Sequence, residues 1–245
     1  MNVDLRKGDC LEVMKDIPDN SVDMVLSDLP FGVTAASWDS IIPLDKLWEQ
    51  YKRIVKDNGA IVLFGSQPFT TVLINSNFKG YKHHWIWKKN KGTGFQIVKY
   101  RPLMATEDII AFTKNGERIN YYPQMVKRDK PYKSSNAVSF SATNPLGTYN
   151  KGKKIVTERY PTNVIECGKV YKPIHPTQKP VELLEYLIKT YTNEGETVLD
   201  NCMGSGSCGV GAINTNRKFI GIELDKNYFE IAKNRIENLK NNQER

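Results

Sequence analysis

Residues that build metal centres and disulfides are scarce in this sequence. Its 245 residues include four cysteines and three histidines. The cysteines, Cys10, Cys167, Cys202 and Cys208, are scattered, and no pair has the Cys-x-x-Cys spacing of a zinc site. We therefore expect four reduced thiols and no structural metal.

Long apolar runs are also missing. The longest covers the five residues from Ala60 to Phe64, far below the roughly 18 that a membrane span needs, and no apolar signal segment follows Met1. We expect a cytoplasmic chain with no membrane partner. Hydrophobic residues at 40% and charged residues at 25% are close to globular averages and exclude a disordered, collagen-like or coiled-coil chain.

Acidic residues are few in the middle of the chain. The whole sequence has 35 basic and 27 acidic residues, a net charge of +8. Residues 79–172 hold 19 bases and 6 acids, whereas residues 1–78 and 173–245 carry net charges of −4 and −1. A local surplus of this kind fits nucleic-acid binding, and it fits a solvated basic face equally well.

Short apolar segments alternate with amphipathic ones, a pattern typical of a parallel sheet with helices. We predict strands at 22–26, 60–64, 81–88, 108–112, 197–200 and 218–223, and helices at 44–55, 181–191 and 228–239. Asn58 and Gly59 are expected to end the first helix in a left-handed turn. Trp85 and Trp87 lie on one side of their strand and suit either a core or a base-stacking surface. Residues 114–172 contain four prolines and no regular period, which predicts a loop-rich insertion or a small subdomain.

One loop whose residues suit ligand binding runs from Asp200 to Gly209, between a predicted strand and a helix. Its glycines allow the backbone to approach a ligand closely. The next strand ends at Glu223, where a carboxylate suits a ribose diol, so the pattern indicates a nucleoside cofactor. The same glycines fit the dinucleotide pattern Gly-x-Gly-x-x-Gly, which is a weak signal alone.

A second loop, Asp28-Leu29-Pro30-Phe31, follows the strand at 22–26. Pro30 biases Leu29 toward an extended backbone, which can turn the Leu29 carbonyl outward beside the Asp28 carboxylate. Two acceptors beside the Phe31 ring suit a planar heterocycle that carries an amino group. An ordinary turn at a strand end has the same kind of sequence.

Together these loops resemble the DNA amino-methyltransferases of the permuted β group, and the likeness covers nearly the whole chain. Asp28 to Phe31 is similar to the family's catalytic Asp-Pro-Pro-Tyr motif, and Asp200 to Ser207 is similar to its cofactor loop. Residues 220–223 resemble the strand whose acid holds the ribose hydroxyls. Gly8-Asp9 is similar to an acidic position near the cofactor's adenine, and residues 175–180, His-Pro-Thr-Gln-Lys-Pro, resemble the motif beside its methionine end.

The chain departs from the family pattern at three positions. Leu29 replaces a proline, Phe31 lacks the tyrosine hydroxyl, and Cys202 replaces the usual phenylalanine. The first two changes preserve a backbone carbonyl and a stacking ring. The third changes one wall of the cofactor pocket.

The resemblance implies an α/β, Rossmann-like fold of S-adenosylmethionine-dependent methyltransferases, with a mixed, mostly parallel sheet and helices on both faces. Residues 1–113 would form its catalytic half, 114–172 a basic target-recognition insertion and 173–245 its cofactor-binding half. The implied catalytic residues are Asp28, Leu29, Pro30 and Phe31. The implied S-adenosylmethionine site contains Asp9, Cys10, Asp28, Thr177, Lys179, Pro180, Asp200, Asn201, Met203, Gly204, Ser205, Gly206, Ser207, Glu223 and Leu224. The residues expected to contact DNA are Lys88, Lys89, Lys91, Lys127, Arg128, Lys130, Lys153 and Lys154.

The implied reaction methylates N6 of adenine in a flipped-out DNA base. Asp28 and the Leu29 carbonyl would accept the two amine hydrogens, and Phe31 would stack on the base. Methylation of cytosine N4 is the nearest alternative, because the same acceptors suit either amine. RNA or protein amide methylation, a nicotinamide-dependent oxidoreductase and a non-catalytic DNA-binding protein stay open. A bacterial or phage source, a homodimer and a companion restriction endonuclease are compatible with the resemblance.

Overall fold

The computed structural model describes residues 2–32, 41–134, 137–141, 144–150 and 154–243. The chain forms two units. The larger consists of Met1–Tyr122 and Asn163–Arg245, and the smaller consists of Pro123–Thr162. The smaller unit falls within the segment 114–172 that the sequence marks as an insertion.

The elements follow one another in a simple order. The larger unit begins with β1 (Val3–Lys7), α1 (Cys10–Val13), β2 (Val22–Ser27), α2 (Leu44–Ile54), β3 (Val55–Gly65), α3 (Phe69–Ser76), β4 (Tyr81–Thr93) and β5 (Met104–Phe112). The smaller unit contributes β6 (Val126–Ser134), β7 (Ala137–Ser141), β8 (Asn144–Asn150) and β9 (Lys154–Arg159). The larger unit is completed by β10 (Val164–Glu166), α4 (Val181–Tyr191), β11 (Thr197–Asp200), α5 (Ser207–Asn214), β12 (Lys218–Glu223) and α6 (Lys226–Gln243).

The larger unit contains an eight-stranded sheet in the order β1-β12-β11-β2-β3-β5-β4-β10. β5 is antiparallel to β3 and β4, and the other neighbours are parallel. The predicted α/β fold with a mixed, mostly parallel sheet is confirmed. After β2 the chain moves outward to β3, whereas after β11 it moves in the opposite direction to β12. The direction of the connections therefore reverses between β2 and β11, which is where ligands bind in open α/β sheets.

Alternating strand residues face two apolar layers. Met24 and Leu26 pack in the layer that contains α4, α5 and α6, whereas Val25 packs in the layer that contains α1, α2 and α3. β3 repeats this pattern, with Val62 in the first layer and Ile61 in the second. Helices thus cover both faces, as predicted, and each fully buried aliphatic side chain contributes about 1.5–3 kcal/mol to that packing.

The first long helix ends differently from the prediction. α2 ends at Ile54, and Val55 is already extended and starts β3. The expected left-handed turn at Asn58 and Gly59 is wrong, because β3 runs through both residues. A Cβ on Gly59 would lie 2.9 Å from the Asp23 carbonyl oxygen, so this glycine allows a close approach of β2 and β3.

Trp85 and Trp87 belong to the core. Both side chains are buried. Trp85 Nε1 donates to the Tyr191 hydroxyl at 2.6 Å, and Trp87 Nε1 donates to the Cys167 carbonyl at 2.8 Å. Of the two interpretations left open by the sequence, the structure therefore supports the core. Among the described helices, none is long and apolar enough to span a membrane.

The smaller unit contains two antiparallel strand pairs, β6 with β9 and β7 with β8. The sequence predicted no strands here. Pro131 lies inside β6, where the pairing register shifts between Lys127 and Tyr132. Proline has no backbone N–H to donate to a neighbouring strand, so its presence in a segment argues against a strand prediction. The sequence of β6 therefore does not look like that of a strand.

Candidate active site

The carboxyl ends of β1, β2, β11 and β12 border a cavity of about 410 Å³ in the larger unit. Most of the predicted catalytic and cofactor residues line this cavity. They are Asp9, Cys10, Asp28, Leu29, Pro30, Phe31, Thr177, Lys179, Asp200, Asn201, Met203, Gly204, Ser205, Ser207, Glu223 and Leu224. The two predicted loops therefore meet at the point where the sheet connections reverse.

The catalytic loop begins at the end of β2 with Asp28. Its Oδ2 atom lies 2.5 Å from Nζ of Lys179, which precedes α4. Its Oδ1 atom is buried, and no described residue donates a hydrogen bond to it. Leu29 is buried, and the Phe31 ring stacks on Phe69 of α3 with centroids 4.8 Å apart. The loop thus presents an oxygen atom of Asp28 that has no hydrogen-bond donor among the described residues, and an aromatic ring that is held in place by Phe69.

Lys179 also contacts a second carboxylate. Its Nζ atom lies 3.0 Å from Oε1 of Glu107 on β5, although outside hydrogen-bond geometry, and Oε2 of Glu107 accepts from Lys89 Nζ at 2.6 Å. Each ammonium also lies over an aromatic ring, Lys179 at 4.8 Å from the Phe64 centroid and Lys89 at 4.7 Å from the Trp87 centroid. We call Asp28, Lys179, Glu107 and Lys89 the ion cluster.

The pKa values in the ion cluster follow from burial and from the alternating charges. Burial raises the pKa of Asp28, Lys179 opposes this shift, and Glu107 adds to it. Burial also acts to raise the pKa of Glu107, but Lys179 and Lys89 outweigh it and lower this pKa overall. For Lys179, burial acts to lower the pKa, and the two carboxylates outweigh it and raise it. Glu107 is therefore held ionised and Lys179 protonated, while Asp28 is the carboxyl of the cluster that is protonated more readily.

Asp200 ends β11 beside the catalytic loop. Its Oδ1 atom accepts from the Ser27 hydroxyl at 2.8 Å and from the Cys202 backbone N–H at 3.1 Å. Burial raises the pKa of Asp200 to about 7, although both hydrogen bonds act in the opposite direction. The next side chain, Asn201, is fixed by Tyr51 of α2, because Oδ1 of Asn201 accepts a hydrogen bond from the Tyr51 hydroxyl at 2.6 Å.

Glu223 is held at the end of β12 by two backbone donors. Gly204 N–H donates to Oε2 and Asp225 N–H donates to Oε1, each at 2.8 Å. Burial raises the pKa of Glu223. Gly204 has φ of +51°, a left-handed conformation that favours glycine. This conformation brings the glycine loop and the Glu223 carboxylate to the same cavity wall.

Two predicted cofactor residues do not line the cavity. Gly206, with φ of +76°, packs against α6, where an added Cβ would lie 3.0 Å from the Cβ of Ala232. Pro180 occupies the N-cap position of α4. Arg235 on α6 fixes the glycine loop on both sides of Gly206, because its Nη1 atom donates to the Ser205 carbonyl and the Ser207 hydroxyl. The glycine loop therefore also serves helix packing.

Asp9 lines the cavity from the segment between β1 and α1. It caps α1, since its Oδ1 atom accepts from Leu11 N–H at 2.8 Å. His175, the first residue of the predicted motif at 175–180, also lines the cavity, and its ring contacts that of Tyr228 with centroids 4.3 Å apart; sequence reasoning missed Tyr228, which lines the cavity too. The half-buried Cys202 also lines the cavity, at the position where the family pattern has a phenylalanine.

The predicted DNA contacts have different surroundings. Lys91 is exposed, and Lys88 pairs with exposed Glu166 at 2.9 Å. Lys89 is 11% exposed and faces Glu107 inside the cavity, so its position does not suit a phosphate contact. In the smaller unit, Lys127 and Lys130 are exposed and Arg128 is half-buried over the Tyr132 ring. Lys153 and the side chain of Lys154 lie outside the described residues.

Glu107 was not predicted, although the sequence carries a signal for it. It lies two and four residues before Ile109 and Ala111, which are fully buried. In a strand these residues share one face, so Glu107 is a charge on a buried face. Such a charge requires a partner. Among the described residues, no group of three or more potential ligands could hold a metal ion.

Comparisons of sequence and fold relate the chain to known proteins. The sequence model of the N6/N4 DNA methylase family matches residues 22–234. The chain is 28% identical to the type II methyltransferase M.HpaI of Haemophilus parainfluenzae, covering 94% of this chain and 73% of that protein. It is also 28% identical to the DNA adenine methyltransferase YhdJ of Escherichia coli K12, covering 94% and 81%.

Solved structures extend the likeness to the fold. The crystal structure of the M1.HpyAVI–SAM complex has a TM-score of 0.64 and 25% identity, covering 95% of this chain and 99% of that one. The PvuII cytosine-N4-specific DNA methyltransferase has a TM-score of 0.67 at 15% identity, covering 98% and 92%, and shows the fold alone. The predicted fold and the predicted S-adenosylmethionine cofactor are confirmed. The chain belongs to the DNA methylase family whose members methylate exocyclic N6 or N4 amines.

Proposed function

We propose that the protein methylates N6 of adenine in DNA, with Asp28 and the Leu29 carbonyl as acceptors for the amine. The observation that carries this proposal is the arrangement of Asp28. Oδ2 is occupied by Lys179, whereas Oδ1 is buried and without a donor among the described residues. A buried acceptor without a partner costs about 1–3 kcal/mol. An exocyclic amine in the cavity would supply the missing donor.

The residues of the cavity fit S-adenosylmethionine. Glu223 is fixed by two backbone N–H groups and suits the ribose hydroxyls, and the buried Asp200 carboxyl suits the cationic amino group of the methionine part. Gly204 lets the backbone pass close to the ligand, with the His175 ring 3.5 Å from where its Cβ would stand. When bound, the cofactor supplies an electrophilic methyl group on a sulfonium.

The catalytic loop then orients and deprotonates the amine. Hydrogen bonds to Asp28 Oδ1 and to the Leu29 carbonyl localise the nitrogen lone pair and aim it at the cofactor. After transfer, Asp28 accepts the proton that the nitrogen loses. Phe31, braced from behind by Phe69, offers a fixed ring for the base, which offsets part of the few kcal/mol that base flipping costs.

Adenine is favoured by a named relative. YhdJ, 28% identical over 94% of this chain, is a DNA adenine methyltransferase. Cytosine N4 is the second candidate, because the same pair of acceptors suits its amine. Methylation of mixed-sequence DNA, followed by nucleoside mass spectrometry, distinguishes them. N6-methyladenine is the expected product, and N4-methylcytosine alone would refute the adenine assignment.

DNA contacts are proposed on both units, each considered by itself. In the larger unit, Thr93 lines the cavity, and the adjoining tip of the β4–β5 hairpin carries the basic residues Lys91 and Arg101 and the rings of Phe95 and Tyr100, which are 77% and 88% exposed. Exposed rings among basic residues are typical of surfaces on which bases stack. In the smaller unit the proposed contacts are Lys127, Arg128 and Lys130.

Salt dependence tests these contacts. Replacing Lys91 and Arg101 by glutamine should weaken DNA binding and reduce the salt slope by about 0.9 per lost phosphate contact. S-adenosylmethionine affinity should stay within about twofold. An unchanged salt slope would refute the proposed contact surface.

A further inference from the structure

We propose that Glu107 and Lys89 are positioning residues for Lys179: Glu107 shares the Lys179 ammonium with Oδ2 of Asp28, Lys89 limits that sharing, and Oδ1 of Asp28 stays available for the target amine. This inference rests on the proposed role of Asp28. Neither residue contacts the reacting nitrogen in this account. Glu107 acts through Lys179, which it shares with Asp28, and Lys89 acts through Glu107.

The geometry of the ion cluster argues against a simple surface ion pair. The side chains of Lys179, Glu107 and Lys89 are 9%, 10% and 11% exposed, and all four members of the cluster line the cavity. Each ammonium is fixed on a second side by an aromatic ring, Phe64 for Lys179 and Trp87 for Lys89 in the pairs described above. Burying four charges is expensive unless their geometry is good. We attribute the burial of these charges to their effect on the carboxylate of Asp28.

The register of the sheet places Glu107 in the cluster. Trp87 of β4 is paired with Glu107 of β5, and Lys89 lies two residues further along β4 on the same face. Lys179 reaches this face from the segment before α4, and Asp28 reaches it from the end of β2. Glu107 thereby competes with Asp28 for one ammonium, and Lys89 limits that competition.

The competition sets how basic Asp28 is. A lysine that belonged to Asp28 alone would make its carboxylate a weak acceptor and a poor base, whereas one drawn fully to Glu107 would leave Asp28 protonated. In the shared arrangement Lys179 lowers the pKa of Asp28 against the effects of burial and Glu107, and the reactive form of Asp28 in this proposal is the carboxylate. It can then take the proton, as the N–H bond of the methylated amine breaks and an Oδ1–H bond forms. Glu107 and Lys89, which do not contact the substrate, thus set the basicity of Asp28, which does.

Other titratable groups face this region and define the controls. Asp200, with a pKa of about 7, lies beside Asp28 on the neighbouring strand. Lys169 lines the cavity near Lys89 and Glu107, and burial lowers the pKa of Lys169. Burial and the charge of Lys179 lower the pKa of His175. Saturating S-adenosylmethionine holds Asp200 in its ligand-bound state, so that a shift between variants comes from the ion cluster.

Two substitutions with opposite expected shifts test the proposal. Glu107→Gln removes the competing negative charge, so the acidic limb of the single-turnover pH–rate profile should move down by about one pH unit. Lys89→Met leaves Glu107 uncompensated, so the same limb should move up by about one unit. Each plateau rate should fall about tenfold, while the Kd of S-adenosylmethionine stays within about threefold. Glu12→Gln and Lys15→Met, in an exposed pair between α1 and the turn that follows it, remove the same charges outside the cavity and should shift nothing.

Carboxyl NMR supplies a readout that needs no catalysis. With aspartate labelled at Cγ and the Asp28 signal assigned from Asp28→Asn, the pKa of Asp28 should fall in Glu107→Gln and rise in Lys89→Met. A wild type that methylates no base would refute the proposed function, while these titrations would still test the inference. Shifts in the same direction, or none at all in either experiment, would overturn it and leave the cluster a structural one.

Discussion

Replacement of Lys179 by methionine is expected to destabilise the fold by an amount that depends on pH. In the wild type the ammonium lies 2.5 Å from Asp28 and 3.0 Å from Glu107, with the side chain 9% exposed. Removing one partner of a buried ion pair costs about 3–5 kcal/mol, because a charge is left uncompensated. Methionine keeps an unbranched stem beside the Phe64 ring, so the loss reflects the missing charge.

The sign of the pH dependence follows from the carboxyls that remain. Without the ammonium, burial and Glu107 raise the pKa of Asp28 above its value in the unfolded chain, and only the smaller effect of the Thr177 hydroxyl opposes them. The stability that such an acid contributes to the fold is fully present below its pKa in the unfolded chain, and it is lost as the pH rises through its pKa in the folded chain. The difference from the wild type should therefore be largest near pH 8 and smallest near pH 5.

Urea denaturation followed by circular dichroism measures this difference at several pH values. Lys15→Met, which breaks an exposed pair with Glu12, is the control and should cost less than about 1 kcal/mol at every pH. A loss for Lys179→Met that is equal at pH 5 and pH 8 would refute the reasoning. It would mean that Lys179 stabilises the fold through its aliphatic stem.

Three further predictions concern the cofactor loop. Tyr51→Phe removes the donor to Asn201 and should weaken S-adenosylmethionine binding about fivefold, equivalent to about 1 kcal/mol, by isothermal titration calorimetry. Binding should tighten from pH 6 to pH 8, because the pKa of Asp200 lies at about 7 and its ionised form attracts the cofactor's ammonium; Asp200→Asn should abolish this trend. Gly206→Ala should lower the free energy of unfolding by about 1–3 kcal/mol, since φ is +76° and the new Cβ would crowd Ala232; an unchanged urea midpoint would contradict this.

Sequence patterns located the elements whose burial is local. The strand at 22–26 and the helix at 181–191 appear as β2 (Val22–Ser27) and α4 (Val181–Tyr191), because a period of 2 or 3.6 reports which face of a single element is buried. The two loops that the sequence marks as candidate sites line one cavity, since both follow strands whose carboxyl ends meet at the reversal of the sheet.

The ion cluster could not be predicted in the same way. Asp28, Lys179, Glu107 and Lys89 come from separate segments, and their contacts depend on the pairing of β4 with β5 and on where the segment before α4 crosses the sheet edge. Lys89 was predicted to contact phosphate because a lysine in a basic run has the same sequence whether it is exposed or buried. Only the side-chain contacts of the folded chain show that its partner is Glu107.

The most direct test of the account compares Asp28→Asn with the wild type in single-turnover methylation of DNA, with S-adenosylmethionine affinity measured on the same preparations. Asparagine keeps the shape of the side chain but cannot take the amine's proton. The account predicts a rate at least about 10³-fold lower, within the range that general acid–base groups contribute, with cofactor affinity within about threefold of wild type. A variant that transfers the methyl group at a rate close to wild type would contradict the assignment of Asp28 as the acceptor.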